Sequence, residues 1–324
     1  MALTTSPDVL PEAMRFLVRA ILALSNDVDR DELITLVAPA GLVEAIESLG
    51  SDGETLADDD SDLKTGGSLI AKQSLAALGV VGIVTTTRGR VSLSAVPEEW
   101  RKPADVDSLT FSKHLRNRIF ASADPSVPVG ESGDVMDLVH GIGFLHKAHT
   151  PLRPFSTFEP DKSGQARAFE EDQRSLFGDD RTGWPIPNKQ QWLPFRRLAT
   201  YIGLASFSPS GLIADASTAL IHGLSELPSA QYDIEQFVAE CAQAVPILDG
   251  GPLEFPSMKT ESSHSLLSPG LAVSIQQLEA DGLVVLSKLS DIGTRTLRVG
   301  TDNNTDRLVS HVKWTGITSR KAKR

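Results

Sequence analysis

Three histidines fall close together at His140, His146 and His149, and Asp137 lies just before them. On a helix His146 and His149 would share a face, and imidazole and carboxylate groups are common metal ligands. The stretch has no Glu in an H-E-x-x-H arrangement, however, and no cysteine is nearby. We therefore favour surface or capping histidines over a metal centre, and we expect no bound metal or cofactor.

A second group with possible chemistry consists of basic and amide side chains at two places where a helix leads into a β-hairpin. Lys and Arg bind DNA phosphates, and Gln can read base edges. The residues expected to contact nucleic acid are Lys288, Arg295, Arg298, Gln276, Gln277, Lys72, Arg88 and Arg90. The same helices offer Ser74 and Ser274, but they contain few Lys or Arg residues, which weighs against strong base readout.

A third basic group lies on the helix predicted over residues 111–121. Lys113, Arg116 and Arg118 fall within about one and a half turns of it. Nucleic acid or an acidic partner could bind them, but a solvated helix face is the preferred interpretation.

Motifs of the common enzyme classes are missing from the chain. It contains no G-x-x-x-x-G-K-[ST] phosphate loop, no G-x-G-x-x-G dinucleotide turn and no G-x-S-x-G nucleophile elbow. Acidic pairs such as Asp179-Asp180 lack the strand context of a nuclease. We expect a protein without enzymatic activity, although an active site assembled across domains remains an alternative.

The charge of the chain is unevenly distributed. The formal net charge is −11, yet residues 257–324 hold 10 Lys and Arg residues against 6 Asp and Glu residues. Because an acidic surface repels phosphate, nucleic-acid contact is expected at the C-terminal end. The acidic stretch 51–62 is interpreted as a solvated loop, with a surface for a basic partner as the alternative.

Targeting signals are also missing. The N-terminus lacks a basic segment followed by an apolar one, and no apolar run approaches the ~20 residues that span a bilayer. The single cysteine, Cys241, allows no disulfide within the chain and is expected to be a small buried residue. These observations predict a cytoplasmic protein with no membrane partner.

Periodicity predicts similar elements near each end. The first block has helices starting at Pro11 and near residue 31, a short helix over 42–49, and a helix with Leu69, Leu75 and Leu78 on one face. Gly79 is expected to end that helix before strands over 80–86 and 91–93, which join at Arg88-Gly89.

The last block begins with Ser268 as helix cap and Pro269 at the first helical position, and Gly282 stops this helix. Strands over 283–289 and 294–299 should then pair as a hairpin. Between the two blocks, helices are predicted over 111–121, 135–148 and 233–245. A helix from Trp192 should pass into a strand over 204–207, and a long connection is expected from 150 to 189.

The pattern Q-x-L-x-A-x-G occurs at both helix-to-strand junctions, from Gln73 to Gly79 and from Gln276 to Gly282. We therefore predict an α+β, mostly helical fold with winged-helix-like modules at both ends, joined by a helical middle. The expected divisions are a module over 8–97, a helical segment with a Pro/Gly/Asp-rich connection over 98–190, a helical or mixed middle over 191–250, a module over 251–314 and a basic tail over 315–324.

Three stretches carry a resemblance to known proteins: the N-terminal block, WLPFRRLATYIGLASF, and LLSPGLAVSIQQLEADGLVVLSKLSDIGTRTLRV. They resemble winged-helix transcription-factor-like domains, and their layout is similar to the DpdG family. That family comprises accessory proteins of bacterial clusters that put 7-deazapurines into DNA and restrict foreign DNA. It lends no catalytic residues.

The resemblance implies a non-catalytic DNA-associated or scaffold subunit of a bacterial anti-phage or DNA-modification system. Its partners would be double-stranded DNA or other subunits of a defence complex. Winged helices also serve as protein-docking units, and a dimeric winged-helix transcriptional regulator is the alternative function.

Overall fold

The computed structural model describes residues 3–38, 66–131, 133–147, 162–208, 211–256, 265–289, 293–298 and 306–316. Within them helices contribute more residues than strands, which confirms the prediction of a mostly helical α+β protein. The predicted helix over 42–49, the acidic stretch 51–62, His149 and residues 317–324 of the basic tail lie outside the described residues.

The first block places a small sheet beside packed helices. Its elements are α1 (Pro11–Ala23), β1 (Val28–Asp29), α2 (Arg30–Val37), α3 (Gly66–Val80), β2 (Val84–Thr87) and β3 (Arg90–Leu93). Asp29 starts α2 by accepting hydrogen bonds from the backbone amides of Asp31 and Glu32. β3 lies between β1 and β2 and is antiparallel to both. The predicted turn at Arg88-Gly89 is confirmed, since both residues have positive φ.

The end of α3 differs from the prediction. Gly79 does not stop the helix, which continues to Val80, and Gly82 takes the left-handed conformation at φ +67° instead. The amide of Ile83 then donates to the carbonyl of Leu78 over 3.0 Å. Ile83 is fully buried, so its packing fixes where the chain turns. Leu69, predicted on the inner face, is 39% exposed.

The middle of the chain is helical and ends in a hairpin. Its elements are α4 (Ser108–Ala121), α5 (Met136–Lys147), α6 (Lys162–Phe177), α7 (Lys189–Tyr201), β4 (Ala205–Ser208) and β5 (Gly211–Ala214). Every residue of α5 from Met136 to His146 is buried. This helix therefore lies at the centre of the molecule.

The long connection predicted over 150–189 is wrong for the residues of α6. This helix has a largely polar sequence, so its apolar periodicity is weak. Its Phe169 and Phe177 nevertheless pack against Phe144, with ring centres 5.2 and 5.8 Å away. These contacts with a distant helix stabilise α6, and they leave no local sequence signal.

The last block contains α8 (Ser217–Gly223), β6 (Ala230–Asp233), α9 (Ile234–Ala244), α10 (Pro269–Ala280), β7 (Val284–Ser287), β8 (Arg295–Leu297), β9 (Arg307–Val309) and β10 (His311–Trp314). Ser268 caps α10, as predicted. β10 lies between β6 and β7 and is antiparallel to both.

The predicted pairing of strands 283–289 and 294–299 is wrong. β7 pairs with β10, with Leu286 opposite Val312, whereas β8 pairs with β9. β10 takes the central position because Val312 and Trp314 are fully buried and supply the inward face that such a strand needs.

One helix-to-strand junction occurs three times. In each, a glycine with φ near +70° follows the helix, and the next amide donates to a carbonyl five residues earlier over 2.9–3.0 Å. The three glycines are Gly82, Gly203 and Gly282. The predicted overlay of Gly79 on Gly282 is therefore out of register by three residues, and Gly82 is the structural equivalent of Gly282.

Two buried serines repeat a second contact. The Ser74 hydroxyl accepts a hydrogen bond from the Leu10 amide over 3.2 Å, and the Ser274 hydroxyl accepts one from the Ala216 amide over 2.8 Å. Leu10 and Ala216 each precede a helix, α1 and α8. Both serines are fully buried, so neither hydroxyl can reach DNA, contrary to the expectation from sequence.

Candidate nucleic-acid interface

The arginines predicted to contact phosphate in the last block form ion pairs within the chain. Arg295 on β8 meets Glu235 through two hydrogen bonds of 2.6 and 2.7 Å. Arg298, just after β8, meets Asp306 in the same way at 2.7 and 2.6 Å. These hydrogen bonds raise the pKa of both guanidinium groups. A phosphate would have to displace a carboxylate at either position.

The remaining predicted residues of this block lie closer to the surface. Lys288, after β7, and Gln277, on α10, are exposed, and Gln276 is half-buried. Sequence reasoning missed Arg307, which pairs with Glu279 over 2.6 Å. The structure thus brings the cations around β8 and β9 together with carboxylates.

The cations of the first block are arranged differently. Lys72 on α3 and Arg88 at the β2–β3 turn are exposed, and neither forms an ion pair with another described residue. Arg90 donates to the side chain and the carbonyl of Asp27, each over 2.8 Å, and the side-chain bond raises its pKa. Lys72 and Arg88 are therefore the predicted cations of this block that no described carboxylate neutralises.

Two of the three basic residues of α4 donate hydrogen bonds to backbone carbonyls within the protein. Arg116 is 2% exposed and donates to the carbonyl of Ile202 over 3.0 Å, and burial lowers its pKa to about 10. Arg118 donates to the carbonyl of Val81 over 3.1 Å. Both carbonyls belong to the glycine junctions that follow α7 and α3. The predicted solvated face is thus wrong for Arg116, although Lys113 is exposed.

The histidines of α5 are buried, which corrects the expectation that they lie at the surface. His146 donates from Nε2 to the carbonyl of Leu204 over 2.8 Å, and burial lowers its pKa. His140 faces the ring of Phe255, and Asp137 accepts hydrogen bonds from Thr4 and Gly133. No group of three or more metal-ligating side chains is found in the part of the chain that the structure describes.

Sequence reasoning missed a groove of about 490 Å³ between the start of α1 and the α7–β4 region. Arg196 and Arg197 line it, and the Arg196 guanidinium lies 4.7 Å from the ring centre of Phe207, which is 49% exposed. The adjacent arginines in WLPFRRLATYIGLASF were the available signal, but the position of Phe207 depends on the β4 strand.

Similarity to known proteins rests on a family comparison. The family model described as DpdG-like matches residues 1–292, a stretch that ends before β8. No curated protein and no solved structure matches the chain. Among the described helices, none has the length and apolar character that crossing a bilayer requires.

Proposed function

The chain belongs to the DpdG-like family, and from that premise we propose that it is a non-catalytic, DNA-associated subunit of a bacterial DNA-modification or anti-phage system. Family membership supports the link to a DNA-modification cluster. The proposed contact with duplex DNA rests on the architecture and on the charges of the first block.

We infer that the chain contains two winged-helix modules. The first runs from α1 to β3 and the second from α8 to β10, so the second begins near residue 217 rather than 251. In each, a helix, a strand and two further helices precede the other two strands of a three-stranded sheet, and the last strand lies in the middle of that sheet. These two strands are β2 and β3 in the first module and β7 and β10 in the second, where the β8–β9 hairpin lies between them in sequence. The matching contacts of Ser74 and Ser274 support the same architecture in both.

In DNA-binding helix-turn-helix proteins, the recognition helix enters the major groove, and other elements contact the backbone. The corresponding elements of the first module are α3, which carries Lys72, and the β2–β3 turn, which carries Arg88. The observation that carries the proposal is that these two cations are exposed and form no ion pair with a described residue. We therefore prefer these two residues as DNA contacts over the C-terminal module, which the excess of Lys and Arg in residues 257–324 had favoured.

The second module is proposed to act mainly as a scaffold that docks other subunits. The ion pairs of Arg295 and Arg298 favour this role, because they neutralise the cations that would attract phosphate. A dimeric transcriptional regulator would instead require DNA readout by two copies of one module. A footprint over a palindromic site would support that alternative.

Fluorescence anisotropy with labelled duplex DNA at several salt concentrations tests the proposal. The K72A/R88A variant should bind several-fold more weakly. Its negative slope of log K against log salt should become shallower by about 2, one for each lost phosphate contact. Arg101→Ala, which removes an exposed arginine outside the module, is the matched control. Undetectable binding of the wild-type protein at low salt would overturn the proposal.

A further inference from the structure

We propose that the groove between α1 and α7 binds single-stranded nucleic acid, with a base stacked near Phe207 and the phosphates bound by Arg196 and Arg197. The residues of this site come from α1, α7 and β4, whereas those of the proposed duplex contact come from α3 and the β2–β3 turn. The two sites can therefore be tested independently.

The groove presents two arginine side chains to a ligand. Arg196 and Arg197 are adjacent on α7, and neither forms an ion pair with another described residue. Arg197 donates to the carbonyl of Pro7 over 2.8 Å, which holds its guanidinium group in place without neutralising it. Burial and the neighbouring charge of Arg197 lower the pKa of Arg196. An anion between the two would relieve this repulsion.

Glu12 is the carboxylate that lines the groove, and it is already engaged. It accepts hydrogen bonds from Arg15 over 2.7 Å and from Ser108 over 3.1 Å. These interactions outweigh the effect of burial and lower the pKa of Glu12. Its charge is therefore balanced by Arg15, and the positive charge of the two α7 arginines stays available to a ligand.

The groove also contains an exposed aromatic ring. Phe207 lies under the Arg196 guanidinium and is 49% exposed, so part of its surface remains open to solvent. Proteins that bind single strands combine a positively charged groove with aromatic rings on which bases stack. Duplex DNA offers no unstacked base for such a ring. The combination therefore favours a single strand over a duplex.

A similar arrangement continues along α1. Phe16 is 52% exposed, and the guanidinium groups of Arg15 and Arg19 lie 5.1 and 5.9 Å from its ring centre. Phe16 lies four residues after Glu12, so the two side chains share one side of the helix. Arg15 is already paired with Glu12, so Phe16 and Arg19 are the side chains that continue an aromatic and cationic surface along α1 beyond the groove.

The volume of the groove is consistent with this occupant. At about 490 Å³ it falls within the usual range of small-molecule sites, ~300–1,000 Å³, so it can accept one nucleotide unit. Tyr201 adds a second ring to the lining. An acidic peptide without aromatic or apolar residues, such as polyglutamate, would satisfy the arginines but would leave both rings unused.

Binding of the full chain to a labelled oligothymidine of ~15 nucleotides, measured by anisotropy, tests the proposal. R196A/R197A should weaken binding at least tenfold. F207L, which keeps an apolar side chain but removes the ring, should weaken it at least ~5-fold. Arg196→Lys keeps the charge and loses the planar group, so intermediate weakening is expected. The control is Arg174→Ala, which removes an arginine that also lies over an aromatic ring, that of Trp184, but does not line the groove.

Binding to a duplex of the same sequence separates this site from the proposed function. F207L should leave duplex affinity within twofold, whereas K72A/R88A should reduce duplex affinity and leave the oligothymidine affinity unchanged. Wild-type affinity of F207L and Arg196→Lys for oligothymidine would overturn the proposal. Equal competition by a polyglutamate peptide would also overturn it, because the groove would then recognise charge alone. Circular dichroism of each variant confirms that it is folded.

Discussion

Arg295 and Glu235 are joined by two hydrogen bonds, 2.6 Å from Nε to Oε1 and 2.7 Å from Nη2 to Oε2. The pair connects the β8–β9 hairpin to the first turn of α9. The Glu235 side chain is 52% exposed and that of Arg295 is 25% exposed, so water reaches both partners. The charge of Arg295, which the sequence suggested as a DNA contact, is thus balanced within the protein.

The first prediction concerns these neutralised cations. Replacing Lys288, Arg295 and Arg298 together with Ala should lower duplex affinity by less than about threefold, since Arg295 and Arg298 already form ion pairs within the chain. Conversely, E235Q/D306N should raise duplex affinity, because it frees both arginines for phosphate. Anisotropy titrations at fixed salt measure both effects. If the triple variant loses as much affinity as K72A/R88A, the second module makes the main DNA contact.

The second prediction concerns the close approach of α10 to α5 at Gly270. A Cβ at this position would overlap the imidazole of His146 and lie 2.9 Å from its Cα. Gly270→Ala should therefore lower the free energy of unfolding by ~1–3 kcal/mol, because backbone as well as side chain must move. Urea denaturation provides the measurement.

Gly79→Ala is the matched control for this substitution. Gly79 lies inside α3, and a Cβ there meets no atom within 4 Å. Alanine should stabilise the protein by ~0.5–1 kcal/mol at this position. Equal effects of the two substitutions would contradict the packing of α5 against α10.

The third prediction concerns the repeated serine contact. Ser74→Ala and Ser274→Ala should each lower the free energy of unfolding by ~1–3 kcal/mol, because each leaves a backbone amide without its acceptor. Ser94, an exposed serine whose hydroxyl donates to the carbonyl of Gly82, provides the control, and Ser94→Ala should cost less. A neutral effect at either buried serine would show that its contact does not stabilise the module.

The fourth prediction concerns pH. Burial lowers the pKa of His146 below its ordinary value of 6.5, so the unfolded chain takes up a proton that the folded chain does not. Stability should therefore fall as the pH drops below about 6.5, at no more than ~1.4 kcal/mol per pH unit for this group. Urea denaturation between pH 7.5 and 5.5 measures the slope.

His146→Gln removes the titrating group while retaining a donor for the Leu204 carbonyl. The slope of stability against pH should be smaller in this variant by up to ~1.4 kcal/mol per pH unit, which corresponds to the uptake of one proton. It should not vanish, because burial lowers the pKa of His114 and His140 as well. A slope equal to that of the wild type would show that His146 does not stay neutral in the folded state.

Local signals determined the parts of the fold that depend on neighbours in sequence. Ser268 and Pro269 fixed the start of α10, Gly282 fixed its end, and Arg88-Gly89 fixed the first hairpin turn. Each of these features depends on caps or φ preferences within one turn of backbone, so a single sequence contains the needed information. The resemblance to the DpdG-like family was also visible in the sequence.

The tertiary structure alone decided the pairings between distant residues. The partner of β7 lies beyond another hairpin, and α6 is stabilised by rings from other elements. The glycine that ends α3 is Gly82 because the residue after it, Ile83, is buried in the core. Burial of Val312, Trp314 and Ile83 depends on the whole fold, which local periodicity does not encode.

The candidate sites also depend partly on the sequence and partly on the tertiary structure. The sequence identified where cations occur, but only the folded chain determined that Arg295 meets Glu235 and that Arg196 lies over Phe207. Whether a cation is neutralised or open to a ligand depends on which groups the fold brings within a few ångströms of it. For that reason the DNA contact that we propose lies at Lys72 and Arg88 rather than at the C-terminal hairpin.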